Sequence, residues 1–234
     1  MMILQVHEKL SIKTTHIGLE QTPVLIIDNF IQQTDALIDY AEQLSFRQTS
    51  PFYPGVRAPA PREYQRCLLD NLQTVIVDFF KLPTANLGFS GCDFSLVSTP
   101  PQQLRLLQRI PHFDALNING LAAVHYLFKE DFGGTAFYRH RKTGFETIDE
   151  SREITYLKSL ESENDGPHLP RVQDGYINGD TPLFERIAES PGLFNRLIIY
   201  RRHSLHSGSI SNENVGNADV RRGRLTINSF IECR

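Results

Sequence analysis

Cysteine is scarce in this chain of 234 residues, which contains only Cys67, Cys92 and Cys233. The three positions are far apart, form no CxxC pair and are odd in number, so they do not suggest a disulfide framework. Such a pattern is typical of proteins from a reducing compartment, and it predicts a cytoplasmic location.

Long apolar runs and an excess of one charge are also lacking. The N-terminal segment has no apolar stretch followed by a small-residue cleavage site, so we expect neither a signal peptide nor a membrane-spanning helix. The formal net charge is -3 and the pI is about 6.2. This balance provides no basic field for nucleic acid or for an anionic membrane surface, and the sequence predicts neither partner.

The composition that remains is that of an ordinary folded domain. Hydrophobic residues make up 40% and charged residues 22% of the chain, which are typical globular values. A β-barrel of this length commonly forms one unit, so we expect a single domain over 1–234. A polar segment at about 140–192 interrupts the pattern, and it is either a substrate-facing element or a surface decoration.

The order of the periodic segments predicts the fold class. Helical spacing begins at Thr34 and continues in a second helix at about 63–81, with further helices near 150–162 and 181–189. The proline-rich segment 50–61 predicts an irregular loop. Strand patterns lie at 23–27, 94–97, 104–107, 120–128, 135–139, 195–201 and 224–231. Helices followed by several strands indicate an α+β, mainly β protein with a barrel or sandwich.

One short motif, His112-Phe113-Asp114, combines two metal-ligating residue types. In a strand, residues two apart point to the same face, so the imidazole and the carboxylate can reach one metal ion. With a second imidazole they would form the facial triad of non-haem Fe(II) oxygenases, which leaves positions open for cosubstrate and O₂. The motif alone is common, and the alternative is a simple His–Asp pair at a strand edge.

Two histidines, His203 and His206, are candidates for the third ligand because both follow the apolar strand at 197–199. We favour His206, because Ser207 and Gly208 after it allow the chain to turn tightly and bring the ring close to a metal. The alternative for either residue is a solvated loop histidine.

Arg224 and Thr226 lie on one face of the last predicted strand. A guanidinium can grip a carboxylate with two parallel hydrogen bonds, and a neighbouring hydroxyl can add a third. The alternative is a surface arginine in an ion pair, since Arg221 and Arg222 form a charged cluster nearby.

The order of these pieces resembles the 2-oxoglutarate/Fe(II)-dependent dioxygenase superfamily, and within it the prolyl 4-hydroxylase-like branch. The segments that carry the resemblance are QLRLLQRIPHFD, GLAAVHYLFKEDFGGTAFY, FNRLIIYRRHSLHSG and GRLTINSF, with DNFIQQTDALIDYAEQL as the leading strand and helix. The resemblance implies a double-stranded β-helix, a jelly-roll or cupin-like barrel, with supporting N-terminal helices. It implies Fe(II) held by His112, Asp114 and His206, and 2-oxoglutarate held by Arg224 with Thr226.

The resemblance also implies a polar side chain against the cosubstrate, on the strand before the Gly-Gly turn. His125 and Tyr126 occupy that place, and strand alternation lets only one of them face inward; we favour His125. The sequence departs from the family pattern in three ways. Arg224 stands where lysine is frequent in the branch, the loop between His206 and Arg224 is longer than usual, and the insertion at 140–192 is not part of the pattern.

These features predict a dioxygenase that uses Fe(II), 2-oxoglutarate and O₂ to hydroxylate a small-molecule or amino-acid/peptide substrate. Asp114 disfavours halogenation, since halogenating relatives replace this carboxylate. One alternative is a Zn-dependent metalloenzyme that activates water with the same three ligands. Another is a non-catalytic β-barrel binding protein with a degenerate pocket. Arg224 distinguishes them, because a hydrolase needs no such clamp, and a homodimer is compatible with the sequence.

Overall fold

The computed structural model describes residues 2–164, 166–212, 215 and 217–234, and within them three α-helices and ten β-strands. The helices are α1 (Thr34–Glu42), α2 (Arg62–Phe80) and α3 (Glu153–Glu163). The strands are β1 (Ser11–Ile17), β2 (Thr22–Asp28), β3 (Gly55–Pro59), β4 (Leu87–Val97), β5 (Leu121–Tyr126), β6 (Gly134–His140), β7 (Phe184–Ser190), β8 (Leu197–Arg201), β9 (His206–Ser209) and β10 (Arg224–Cys233).

The described strands form two antiparallel sheets. The major sheet has the order β1-β2-β8-β5-β10-β4-β3, and the minor sheet has the order β7-β6-β9. Because side chains alternate between the faces of a strand, every second residue of β5 and β8 points toward the minor sheet. The apolar cluster between the sheets contains Val24, Ala122, Val124, Tyr126, Phe137, Ile198 and Tyr200.

The opposite face of the major sheet is covered by α1 and α2. Both helices carry apolar residues three or four apart, which gives each one a buried stripe. The larger core lies here, and it includes Leu37 and Ala41 from α1, Leu68, Leu72 and Ile76 from α2, and Leu25, Leu121, Ile199 and Ile227 from the sheet. The predicted mainly β architecture with N-terminal helices is confirmed.

Three local predictions were wrong. Segment 104–107 is no strand; it leads into a 3₁₀ turn at Leu106–Gln108, and Leu107 is 54% exposed. Segment 50–61 contains β3, an edge strand on β4, where proline is tolerated. The helix expected at 181–189 is β7, because pairing with β6 overrides the helix propensity of its Glu, Arg and Ala residues.

Helix α3 confirms the helix predicted near 150–162. Its C-terminal end is anchored by a buried contact, in which His140 Nε2 lies 3.0 Å from Glu163 Oε2. The ring of Tyr156 packs edge-on against His140, with 5.3 Å between the centroids. This anchoring holds Leu157 and Leu160 against a large cavity. Part of the predicted insertion therefore borders the cavity.

The cysteines form no disulfide, and the pKa values of two of them limit their reactivity. All three thiols are free. Burial raises the pKa of Cys67 to about 11 and that of Cys92 to about 12, so both thiols are protonated at pH 7 and act as packing groups.

None of the helices in the described ranges has the length and hydropathy needed to cross a bilayer.

Candidate functional site

A cavity of about 580 Å³ opens between the two sheets. Strands β5, β8 and β10 of the major sheet form its floor, β9 contributes one wall, and α3 with the segment around 107–114 borders it. Of the six residues predicted for the site, His112, Asp114, His206 and Arg224 line this cavity, whereas His125 and Thr226 do not.

The backbones of His112 and His206 are hydrogen-bonded to each other. The two residues form an isolated antiparallel bridge, so His112 does not belong to a strand as expected. The His112 N–H donates to the His206 carbonyl at 2.9 Å, and the His206 N–H donates to the His112 carbonyl at 2.8 Å. Opposed residues of such a pair carry their side chains on one side, and the ring centroids lie 4.4 Å apart.

Asp114 completes the cluster. Its backbone N–H donates to the Arg202 carbonyl at 2.8 Å, which fixes the chain two residues after His112. One carboxylate oxygen lies 3.9 Å from His112 Nε2, and the other lies 3.6 Å from His206 Nε2. Donor atoms of the three side chains all lie within 4.8 Å of one another. His203, the alternative to His206, is not part of this cluster.

The ring nitrogens of the two imidazoles are placed for metal binding. His206 Nδ1 lies 2.9 Å from the Ser204 carbonyl oxygen, which only accepts, so Nδ1 donates to it and Nε2 is the nitrogen that faces the cluster. Desolvation by the cavity walls, with a contribution from His206, lowers the pKa of His112 to about 4 although half of the side chain is exposed. The ring is therefore neutral at pH 7, as ligation requires.

Arg224 is a buried cation without an acidic partner. Its side chain donates from Nε to the Phe132 carbonyl at 3.3 Å and from Nη2 to the Gly134 carbonyl at 2.8 Å. Desolvation lowers its pKa, and it forms no ion pair with any acidic residue that the structure describes. A buried charge without a counter-charge is costly, so this guanidinium needs an anion.

Tyrosine side chains surround Arg224. The guanidinium lies 5.8 Å from the ring centroid of Tyr126, whose hydroxyl contacts Thr135 Oγ1 at 2.8 Å. The Tyr53 hydroxyl is buried and makes no hydrogen bond of regular geometry, although the Ser95 side chain is near enough to lower its pKa slightly against the effect of burial. Burial raises the pKa of Tyr126 to about 12 and also raises that of Tyr53. Both phenols are therefore neutral at pH 7, and the Tyr53 hydroxyl is free to donate.

Thr226 is on the same face of β10 as Arg224, but its side chain does not line the cavity. It is fully buried, pairs with Tyr126 across the strands, and donates its hydroxyl to Asn228 Oδ1 at 2.8 Å. Asn228, two residues further along β10, lines the cavity. Thr226 thus orients an amide that faces the cavity.

Residues 8–231 match the model of DUF6445, which is described as a family of unknown function. The chain belongs to this family. No curated protein matches the sequence. The solved structures that resemble this DUF6445 protein have sequence identities of 11–13%, so the likeness concerns the fold only.

HygX from Streptomyces hygroscopicus, with nickel and 2-oxoglutarate bound, matches with a TM-score of 0.53 and 12% identity over 91% of this chain and 83% of that chain. The same protein with iron bound matches with a TM-score of 0.52 and 11% identity, over 91% and 82% of the chains. A prolyl 4-hydroxylase from Pseudomonas putida covers 96% and 92% of the chains at 13% identity, but its TM-score of 0.43 carries no argument about the branch.

The prediction that His125 faces the cosubstrate was wrong. In this DUF6445 protein, His125 lies on the outer face of the major sheet, with Nε2 3.0 Å from Asn195 Oδ1. Its ring stacks on Tyr64, at 5.7 Å between centroids and 15° between planes. Burial lowers its pKa to about 4. Tyr126, the alternative at this place, is the residue that points inward.

Sequence reasoning missed two cavity residues, Tyr53 and Arg57. Arg57 lies on β3 and places its guanidinium over the Tyr53 ring, 4.3 Å from the centroid. The sequence feature that could have indicated a strand here is the short segment Gly55–Pro59, in which one arginine lies among small and apolar residues. The surrounding prolines concealed it, because they made the whole segment resemble a loop.

Proposed function

We propose that this protein is an Fe(II)- and 2-oxoglutarate-dependent dioxygenase that hydroxylates a small-molecule or amino-acid/peptide substrate. One observation carries the proposal: two imidazoles and a carboxylate converge in the same cavity as a buried arginine that forms no ion pair with a described acidic residue. The binding of nickel, iron and 2-oxoglutarate by HygX, which has a similar fold, supports it.

The donor set fits Fe(II). Two nitrogens from His112 and His206 and one oxygen from Asp114 would hold the metal, and a set of three protein ligands would leave positions for cosubstrate and O₂. When bound, the iron supplies O₂ activation coupled to oxidative decarboxylation of 2-oxoglutarate. The protein holds the donors in place: the Ser204 carbonyl fixes the His206 ring, and the bridge to His206 fixes His112.

The surroundings of Arg224 fit the far carboxylate of 2-oxoglutarate. The guanidinium, already oriented by the Phe132 and Gly134 carbonyls, provides the charge that this carboxylate needs. The unpartnered Tyr53 hydroxyl provides a further donor. Both groups are buried, so water competes weakly for the bound anion.

The alternatives explain fewer of these features. A zinc hydrolase could use the same three ligands, but it has no use for a buried arginine that lacks a counter-charge. A binding protein with a degenerate pocket has no need to keep the His206 ring oriented for ligation. Asp114 supplies the carboxylate that favours hydroxylation over halogenation.

The proposal is tested by anaerobic addition of Fe(II) and 2-oxoglutarate. We expect a weak visible charge-transfer band in the wild type and, after exposure to air, succinate formation. His112→Ala and Arg224→Ala should each lose the band, because one removes a ligand and the other the cosubstrate clamp. The proposal would be contradicted if both variants showed a band as strong as that of the wild type. It would also be contradicted if succinate formed as fast with Zn(II) as with Fe(II).

Further parts of the proposal rest on the sequence. They are closure of the two sheets into a double-stranded β-helix, membership of the prolyl 4-hydroxylase-like branch, and one domain over residues 1–234. The cytoplasmic location, the absence of nucleic-acid and membrane partners, and a homodimer also stay predictions.

A further inference from the structure

A second arginine in the cavity, Arg57, has no role in the proposed binding of metal and cosubstrate. Its backbone is fixed by paired hydrogen bonds with Arg47, at 2.8 and 2.9 Å. Its side chain lines the cavity, and Nε is buried without a hydrogen-bond partner. Asp93, on the neighbouring strand, is near enough for Arg57 to oppose the rise that burial causes in its pKa, but it forms no ion pair with Arg57 and does not line the cavity. No other acidic residue in the described ranges pairs with Arg57.

Tyr53 lies near both arginines, Arg57 and Arg224. Arg57 lies over the face of the Tyr53 ring, at 4.3 Å from the centroid. Arg224 is near enough to Tyr53 to lower the pKa of its phenol, against the larger effect of burial. Arg57 lies on β3 and Arg224 on β10, and β4 runs between these two strands. The two side chains therefore start from strands about 10 Å apart, and each guanidinium can bind its own anion.

The charges of the loaded site leave Arg57 uncompensated. A divalent metal, the Asp114 carboxylate, the 2-oxoglutarate dianion and the Arg224 guanidinium sum to zero. Arg202, the remaining arginine of the cavity, is paired with Glu232. Arg57 thus provides one unmatched positive charge, which suits a monoanion such as a carboxylate better than a phosphate, whose charge at pH 7 is about -1.5 to -2.

The entrance of the cavity is apolar. Phe52 is 65%, Leu107 54% and Leu157 47% exposed, and all three line the cavity. Large exposed apolar side chains gathered at a cavity usually mark a place where a ligand is bound. The substrate that fits this entrance has an apolar body.

We propose, on the basis of the proposed function, that Arg57 binds a carboxylate of the substrate while Phe52, Leu107 and Leu157 hold an apolar part of it. The substrate class is a small carboxylic acid with an aryl or alkyl body. A planar guanidinium and a carboxylate form two parallel hydrogen bonds, and Tyr53 holds the guanidinium in place from below.

The inference is tested with matched probes on protein loaded with Ni(II) and saturating 2-oxoglutarate. Calorimetric titration compares phenylacetate with phenylacetamide, and octanoate with octanamide. We expect the wild type to bind at least one carboxylate about tenfold or more tightly than its amide. Arg57→Met should remove this preference, and Arg57→Lys should retain part of it.

Arg47→Met is the matched control, because Arg47 faces Arg57 through the backbone but is exposed and does not line the cavity. This variant should keep the full preference. The inference is overturned if no pair shows a carboxylate preference, if Arg57→Met keeps it, or if phenyl phosphate binds more tightly than phenylacetate.

The affinity for 2-oxoglutarate separates this inference from the proposed function. It should be the same in wild type and Arg57→Met, since Arg224 provides the cosubstrate clamp. A weaker affinity in Arg57→Met would assign Arg57 to the cosubstrate and overturn the substrate assignment. Failure of the wild type to bind 2-oxoglutarate would overturn the proposed function itself.

Discussion

Two buried histidines, His125 and His206, lie in different regions of the protein and differ in what their ring nitrogens contact. The outer one, His125, donates to the Asn195 side chain and packs between Tyr64 and Phe30. The inner one, His206, donates from Nδ1 to a carbonyl and turns Nε2 toward Asp114. Burial therefore does not distinguish a packing histidine from a ligand. The distinction comes from a free lone pair that faces a carboxylate.

Loss of the inner histidine should have the largest effect. His206→Ala removes one of three donors, so we expect loss of measurable Fe(II) binding and of succinate formation. Circular dichroism should show an unchanged fold. The matched control is His203→Ala, three residues earlier in the same segment and outside the cluster. If His203→Ala abolished metal binding and His206→Ala did not, the ligand assignment would be reversed.

Arg224→Met should weaken 2-oxoglutarate binding by about 100-fold, which corresponds to about 3 kcal/mol, because two charge-assisted hydrogen bonds are lost. Metal binding should remain, and the melting temperature should not fall, since an unpaired buried charge is removed. Calorimetry with Ni(II)-loaded protein measures the first effect. Arg222→Met, at an exposed neighbouring arginine, should change neither quantity. Equal weakening in both variants would exclude Arg224 as the clamp.

The outer histidine should affect stability and its dependence on pH. In the folded protein its pKa is about 4, below the value of about 6.5 in an unfolded chain. As the pH falls through this window, the unfolded state binds the proton first, so stability decreases toward pH 4. His125 alone contributes about 3 kcal/mol to this decrease.

His125→Leu should therefore flatten the decrease, as measured by urea unfolding of the metal-free protein at pH 7 and at pH 4.5. Phe30→Leu is the control, because it reduces the packing around His125 without removing the titrating imidazole. It should lower stability equally at both pH values. An unchanged pH dependence in His125→Leu would show that another group controls it.

The smallest effect is expected at Tyr126, which links the sheets next to Arg224. Tyr126→Phe removes the hydroxyl that contacts Thr135 and leaves a buried oxygen unpaired. We expect the free energy of unfolding to decrease by about 1–2 kcal/mol and 2-oxoglutarate affinity to change less than in Arg224→Met. A loss as large as that in Arg224→Met would make Tyr126 a direct ligand of the cosubstrate.

The contrast between His125 and Tyr126 shows what the sequence could not reveal. Strand β5 is buried on both faces, so its residues show no alternation of polar and apolar types from which the inward face could be read. The register became visible only through pairing, in which Tyr126 lies opposite Thr226 and His125 opposite Ile227. If the inward-facing residues of a strand are assigned one position off, every side chain is placed on the wrong face.

Other features were accessible because they depend on local patterns. The apolar runs of β2, β8 and β10 predicted strands directly. The shared cavity was implied by the resemblance of the ordered HxD, histidine and arginine to the dioxygenase superfamily. The short polar strand β9 and the helix-like sequence of β7 were missed, since their conformation depends on pairing with β6. Arg57 was missed for the same reason, because β3 exists only as an edge of β4.

The mutual hydrogen bonds between the His112 and His206 backbones make the two imidazoles parts of one rigid chelate. Ordering of the donors is then completed when the chain folds, and an arriving ion meets a preorganised site with little conformational entropy left to lose. Removal of the ion with a chelator should accordingly leave the two sheets assembled, and reloading should restore the holo-protein without refolding.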